Sequence, residues 1–153
     1  MIELLIAGVS FFGGGNWYCT HQYEYPLQNV KETFISHVQY SDDLTYVASN
    51  KIIYSYLNDN EDFAQFSYIE KGVAKISGNQ FYLDGHAYNV TKDFDIIGHF
   101  KSGYANEITE FLNTPMEPEE KTLTVISKTK SEMTVKHQPS GTITQCVASS
   151  SEA

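Results

Sequence analysis

The sequence predicts an all-β protein of antiparallel strands, wound as an up-and-down barrel or packed as a sandwich, and three observations predict it. Short apolar and aromatic runs recur along the chain, with turn cues every eight to twelve residues. Eleven Tyr and nine Phe supply broad side chains that pack well on a pleated surface. Helical spacing shows in one place, so at most one short helix is expected. At 153 residues the chain suits one domain, burying roughly 70% of the surface its unfolded chain exposes, and it needs no metal to hold a core.

The elements follow in order. Residues 2–12, "IELLIAGVSFF", have the length and greasiness of a secretory core segment, and the small residues "GGG" follow it. Glu3 stands where Lys or Arg belongs, and the first basic residue is Lys31. Residues 1–14 are therefore read as a signal-peptide remnant or an N-terminal extension, with a buried first strand or plug as the other reading. "NWYCTHQYEY" is the first credible strand; Trp17 and Tyr18 before Cys19 disfavour a lipoprotein anchor. After Pro26, "LQNVKET" reads as a polar connection, "FISHVQY" (34–40) as a strand, "SDD" as a turn and "LTYVASNKIIYSYL" (44–57) as the strand that completes a hairpin. "NDNED" (58–62) is a loop, because Asn and Asp bond their own backbone. "FAQFSYIE" is a strand with Phe63 and Phe66 on opposite faces.

"KGVAKISGNQFYLDGHAYNVT" reads as short strands punctuated by Gly72, by "SGN" at 77–79 and by "DG" at 84–85, the last a hairpin cue. Tyr104, Ile108, Phe111 and Leu112 fall at helical spacing, with Asn113 and Pro115 as a stop. "TPMEPEEK" is a polar loop. "KTLTVISKT", "EMTVKHQ" and "GTITQCVA" are three closing strands, and residues 148–153 form a flexible tail.

Composition excludes several functions. Lysine supplies all ten basic residues against nineteen acidic ones, for a net charge of −9, and there is no arginine to fork onto phosphates or guanine edges. Nucleic acid is excluded as a partner on that ground. An anionic bilayer would repel so acidic a surface, and no apolar run reaches the ~18 residues of a transmembrane helix.

Cys19 lies in the first strand and Cys146 in the last, 127 residues apart, which fits neither a zinc site nor a redox pair. A disulfide is the economical reading, since a closed antiparallel barrel makes its first and last strands neighbours; two buried free thiols are the alternative. An oxidised pair would fit an exported protein. The five histidines, at 21, 37, 86, 99 and 137, show no metal-binding spacing; no catalytic or phosphate-binding motif occurs, and "NDNED" lacks the spacing of a calcium loop. No enzyme activity, metal or cofactor is expected. "NVT" at 89–91 fits a glycosylation acceptor.

Three pieces in this order resemble a known family. "GNWYC" (15–19) is similar to the G-x-W signature that begins the first strand of lipocalins; "YIEKGVAKISGNQFYL" (68–83) resembles the mid-barrel hairpin of bacterial lipocalin-like domains, and "TLTVISKTKSEMTVKHQPSGTITQC" resembles their closing strands. The likeness covers residues 15–147 as one domain and implies a divergent lipocalin-like, calycin-type barrel. It implies that Gly15 lets the chain turn tightly into the barrel and that the Trp17 ring closes its bottom, with Cys19 directed outward or sideways toward the last strand. In lipocalins an arginine stacks on that tryptophan; here Lys136 or Met133 would have to serve.

A barrel of this size either fills with side chains or holds one small ligand. Strand parity puts Tyr46, Ala48, Ile52, Tyr54 and Tyr56 on one face, and Phe66 and Tyr68 on another. The candidate ligand-binding residues are accordingly Tyr46, Tyr54, Tyr56, Phe66 and Tyr68, unless they pack the core or stud the outer wall. The expected function is that of a secreted or periplasmic protein binding a small hydrophobic molecule inside the barrel. The alternatives are a filled barrel acting as a protein-interaction or inhibitor module, or a cyclase-like enzyme.

Overall fold

The computed structural model describes residues 15–149; the signal-remnant or extension reading of residues 1–14, and the end of the tail at 150–153, lie outside the described residues. Eight antiparallel strands close into a ring: β1 (Asn16–Tyr25), β2 (Val30–Tyr40), β3 (Thr45–Tyr56), β4 (Asp62–Ser77), β5 (Gln80–Asp95), β6 (Leu123–Lys128), β7 (Glu132–His137) and β8 (Ile143–Ala148). Each strand pairs with its sequence neighbours, and β8 returns to β1, so the arrangement is an up-and-down barrel and not a sandwich.

Alternation with period two decides what lies inside. Val38 sits opposite both Trp17 and Ala48, and Tyr40 opposite Tyr46, so the buried positions of neighbouring strands line up on one inner surface. Trp17, at 2% exposure, packs there with Val38, Tyr46, Phe81, Met133 and Val135 in the buried core cluster. Gly15 stands one residue before β1, its carbonyl accepting the Tyr40 N–H at 3.2 Å. The cation over the Trp17 ring is Lys128, with Nζ 5.8 Å from the centroid, while Met133 shares the buried cluster. Lys136 is exposed on β7, because Met133 and Val135 take the inward positions of that strand.

Cys19 and Cys146 face each other across the β1–β8 seam and form a disulfide, with Cα atoms 4.0 Å apart. Of the two expected directions, Cys19 takes the one toward the last strand and not the outward one: it shares the parity of Trp17, so the bridge packs against the core cluster.

Strand lengths are uneven, and this builds the site. β4 and β5 each have 16 residues, whereas β6, β7 and β8 have 6. β5 meets β6 only at Gln80↔Thr124 and Phe81↔Leu123. The full ring therefore exists only toward the Trp17 end; beyond it β1 to β5 continue as a curved trough open along one side. The segment 96–122 crosses that opening and contains α1 (Tyr104–Leu112) and the single turn α2 (Pro118–Lys121). The spacing of Tyr104, Ile108, Phe111 and Leu112 is thus a helix, ending at Asn113. The expected polar loop at "TPMEPEEK" contains α2, started by a capping box between Glu117 and Glu120.

An unpaired strand edge leaves backbone groups unsatisfied. At β5 the Asn113 amide substitutes for a neighbouring strand, its Oδ1 accepting the Ala87 N–H at 2.7 Å and its Nδ2 donating to the Ala87 carbonyl at 3.1 Å. One side chain thereby ties the end of α1 to the trough wall.

Two turn readings are corrected. "DG" is not a hairpin: Gly85 lies within β5 opposite Gly72, and the reversal comes at 78–79. A Cβ on Gly85 would run into the Tyr46 phenol oxygen and sit 2.9 Å from Glu70 Oε2, so this glycine makes room for an interior side chain. The polar connection "LQNVKET" is shorter than expected, since β2 already begins at Val30. Finally, Phe63 and Phe66 are both buried, because a β-bulge at the start of β4 turns Phe63 onto Tyr56 and His99.

Candidate functional site

The inner surface divides into three levels along β3. Tyr46 and Ala48 belong to the packed end, Asn50 to a polar middle, and Ile52 and Tyr54 to the trough. In the middle, Asn50 stands between Ser36 and Tyr68 on the neighbouring strands, all three being buried. Asn50 Oδ1 has no partner among the described residues. Tyr46 donates a short hydrogen bond to Glu70 Oε2.

Burial pushes the Glu70 carboxyl above its ordinary value of 4.5, against the lowering effect of the Tyr46 hydrogen bond. An acid with a higher pKa folded than unfolded supports folding fully below the unfolded value and loses that support as pH rises through the folded one. Glu70→Gln is therefore expected to raise stability at pH 7 by about 1 kcal/mol, since the amide keeps an acceptor for Tyr46 without a buried charge. Thermal melts against pH check this: the advantage should vanish as pH falls toward 4.5.

Above the polar level lies a cavity of about 520 Å³, within the range of small-molecule sites. β1 supplies His21 and Tyr25, β2 supplies Glu32 and Phe34, and β3 supplies Ile52 and Tyr54. The paired positions His21↔Phe34, Phe34↔Ile52 and Glu32↔Tyr54 explain why these side chains share one face. Tyr104, Glu107, Ile108, Phe111 and Leu112 of α1 form the roof. The roof is held by aromatic contact: Phe100 packs on Tyr54 at 4.8 Å and on Tyr104 at 4.6 Å between ring centroids, and Phe66 meets Phe100 at 5.2 Å. The Asp95 carboxylate accepts the N–H groups of His99 and Phe100, each at 2.8 Å, which fixes the approach to the helix.

The electrostatics of the cavity are one-sided. Burial pushes the His21 imidazole below its ordinary value of 6.5, so the ring is neutral at pH 7; it stacks on Phe34 at 4.9 Å, and its Nδ1 lies 3.3 Å from Thr144 Oγ1. Burial, together with the neighbouring Glu32 carboxylate, raises the Tyr54 pKa strongly, keeping the proton on the phenol. Glu107 is ion-paired with Lys101 at 2.8 Å. A smaller annex of about 320 Å³ shares Tyr25, Glu32, Tyr54 and Tyr104 and adds Gln28, Val30, His99 and Phe100. Leu27, Ile96 and Phe111 are exposed at this same end.

Of the residues singled out from sequence, Tyr54 lines the cavity. Tyr46, Phe66 and Tyr68 are buried below or beside it, and Tyr56 lies near the mouth against Phe63 at 4.7 Å. Sequence reasoning missed His21, Glu32, Phe34 and the whole roof. A usable signal for Glu32 existed: Val30, Phe34, Val38 and Tyr40 share its parity, which sets the carboxylate on a mostly apolar face.

Among the other hollows of the described residues, two touch residues already named. One of about 350 Å³ opens between β5 and the 112–116 connection, with Glu70 in its wall. The larger, about 630 Å³, lies on the outer face of β1 to β5, where Tyr18 stacks on His37 at 4.2 Å, and its Ile35, Lys51 and Ile69 side chains point away from the interior. Among the described residues no group of three His, Cys, Asp or Glu side chains is placed to hold a metal ion, and no helix is long and apolar enough to cross a membrane. No family model and no curated protein matches the chain.

Proposed function

We propose that this chain is an exported, lipocalin-like carrier that holds one small hydrophobic molecule in the cavity under α1, and that it binds its ligand without chemically changing it. The observation that carries the reading is the cavity itself: about 520 Å³ lined by Phe34, Ile52, Tyr54, Tyr104 and Ile108, beside a barrel end packed around Trp17. Apolar volume of that size, with the exposed Phe111 in its wall, favours an apolar guest. The G-x-W opening at Gly15 and Trp17 and the eight-strand meander support the lipocalin-like reading. The Cys19–Cys146 bridge supports export, since such bonds persist in oxidising compartments.

The test uses an environment-sensitive hydrophobic dye, because Trp17 lies at the packed end and is a poor reporter of the cavity. Saturable binding of about one dye per chain is expected, weakened about tenfold by Tyr54→Ala or Phe34→Ala. Failure of the dye and of apolar competitors to bind at any concentration would overturn the carrier reading in favour of a filled interaction module.

A further inference from the structure

We infer that the cavity selects hydrophobic amines, with the ammonium group held on Glu32 among the rings of Tyr25, Tyr54 and Tyr104. This rests on the carrier reading and names the ligand class that the same cavity takes. Four observations converge on it.

No lysine lines either the main cavity or its annex, and the chain has no arginine, so nothing there offers a fixed positive charge to a carboxylate or phosphate head group. His21, the imidazole in the main wall, is uncharged at neutral pH. An anionic lipid would place its head group beside Glu32 and Glu107, and Lys101, the cation beside Glu107, is already paired with it.

The two carboxylates are not equivalent. Glu107 already has Lys101. Glu32 has no ion-pair partner among the described residues; Lys31, its chain neighbour, projects from the other face of β2 and donates to Asn60 Oδ1 at 2.7 Å. Tyr54 stands directly across from Glu32 on the neighbouring strand, and the carboxylate helps to keep the proton on the phenol, so a protonated hydroxyl faces Glu32 beside the cavity.

Third, the surroundings of Glu32 suit a cation. It lies at the junction of cavity and annex, where Tyr25, Tyr54 and Tyr104 line both, and aromatic faces attract ammonium groups that have shed their water. The apolar wall from Phe34 to Ile108 then takes the tail. Finally, the net charge of −9 draws cations toward the protein as a whole and slows the approach of anions.

The experiment compares three probes with one tail and different heads: dodecylamine, protonated at neutral pH, dodecanol and dodecanoate, each displacing the bound dye below its micelle-forming concentration. The amine is expected to bind about tenfold tighter than the alcohol, and the carboxylate weakest. In Glu32→Gln the amine's advantage over the alcohol should fall to about twofold or less while dodecanol keeps its affinity. In Glu107→Gln the advantage should persist. Equal binding of all three probes, or a preference for dodecanoate, overturns amine selectivity and leaves the carrier reading standing. Binding of none of them overturns both. Because the wild-type ranking alone decides between these outcomes, a poorly folded Glu32 variant would not shield the inference.

Discussion

Reducing the Cys19–Cys146 bridge is expected to destabilise the barrel by about 4 to 5 kcal/mol. The bond spans 127 residues and joins the first strand to the last, so it constrains nearly the whole described chain when unfolded. In the chain-entropy account the stabilisation grows with the logarithm of the loop, and long loops lie near its upper end. For a domain of this size the loss corresponds to a fall of about 10 °C or more in Tm. Reduction isolates the effect better than substitution, because both sulfurs stay in place against the core while only the link is removed. Denaturant titrations of oxidised and reduced protein give the difference directly. Coincident transitions would mean that the β1–β8 seam holds without the bond, against the loop-entropy account.

Trp17→Ala should cost about 3 to 5 kcal/mol, the range for truncating a large buried aromatic side chain. The ring is 2% exposed and touches side chains from strands on both sides of the seam, so its loss opens the packed end where β1, β7 and β8 converge. Trp17→Phe should cost less, since part of the volume stays filled. The informative feature is what should not change. A polar level built on Ser36, Asn50 and Tyr68 separates that end from the cavity, so dye affinity measured below the variant's melting range should match wild type. Tyr54→Ala is the converse, weakening binding while leaving most of the core untouched. Equilibrium unfolding and dye titration on the same two variants separate the roles.

The closed sheet was legible because its determinants are local. Alternation along 34–40 and 44–57 marks the hairpin, and the placement of Cys19 and Cys146 marks the seam. The cavity was not, because parity tells which face a residue takes but not how high it stands in the barrel. Tyr46 and Tyr54 share a face, yet one is engaged by Glu70 at the packed end and the other lines the trough. Height depends on strand stagger and on the early end of the β5–β6 pairing, neither of which has a signature in composition. Gly85 shows the same limit: a glycine after an aspartate reads as a turn, and only the three-dimensional approach of the Tyr46 phenol explains why it sits mid-strand. Lys128 rather than Lys136 covers the tryptophan because a bulge between Val125 and Ser127 reverses the facing of β6 at its end.

The contrast between the Asn113 amide and the cystine gives the molecule two tiers of stiffness. The hooped half is laced by continuous backbone ladders and a covalent stitch, so it yields only when everything does. The arch carried by residues 96–122 grips the β5 flank through the Asn113 carboxamide, the Lys121–Asp84 ion pair and a stack of rings, contacts that can part and reform without disturbing the hoop. In the proposed carrier a guest would therefore come and go at the expense of a local fluctuation, and the rate of exchange would be set independently of how firmly the barrel as a whole resists unfolding.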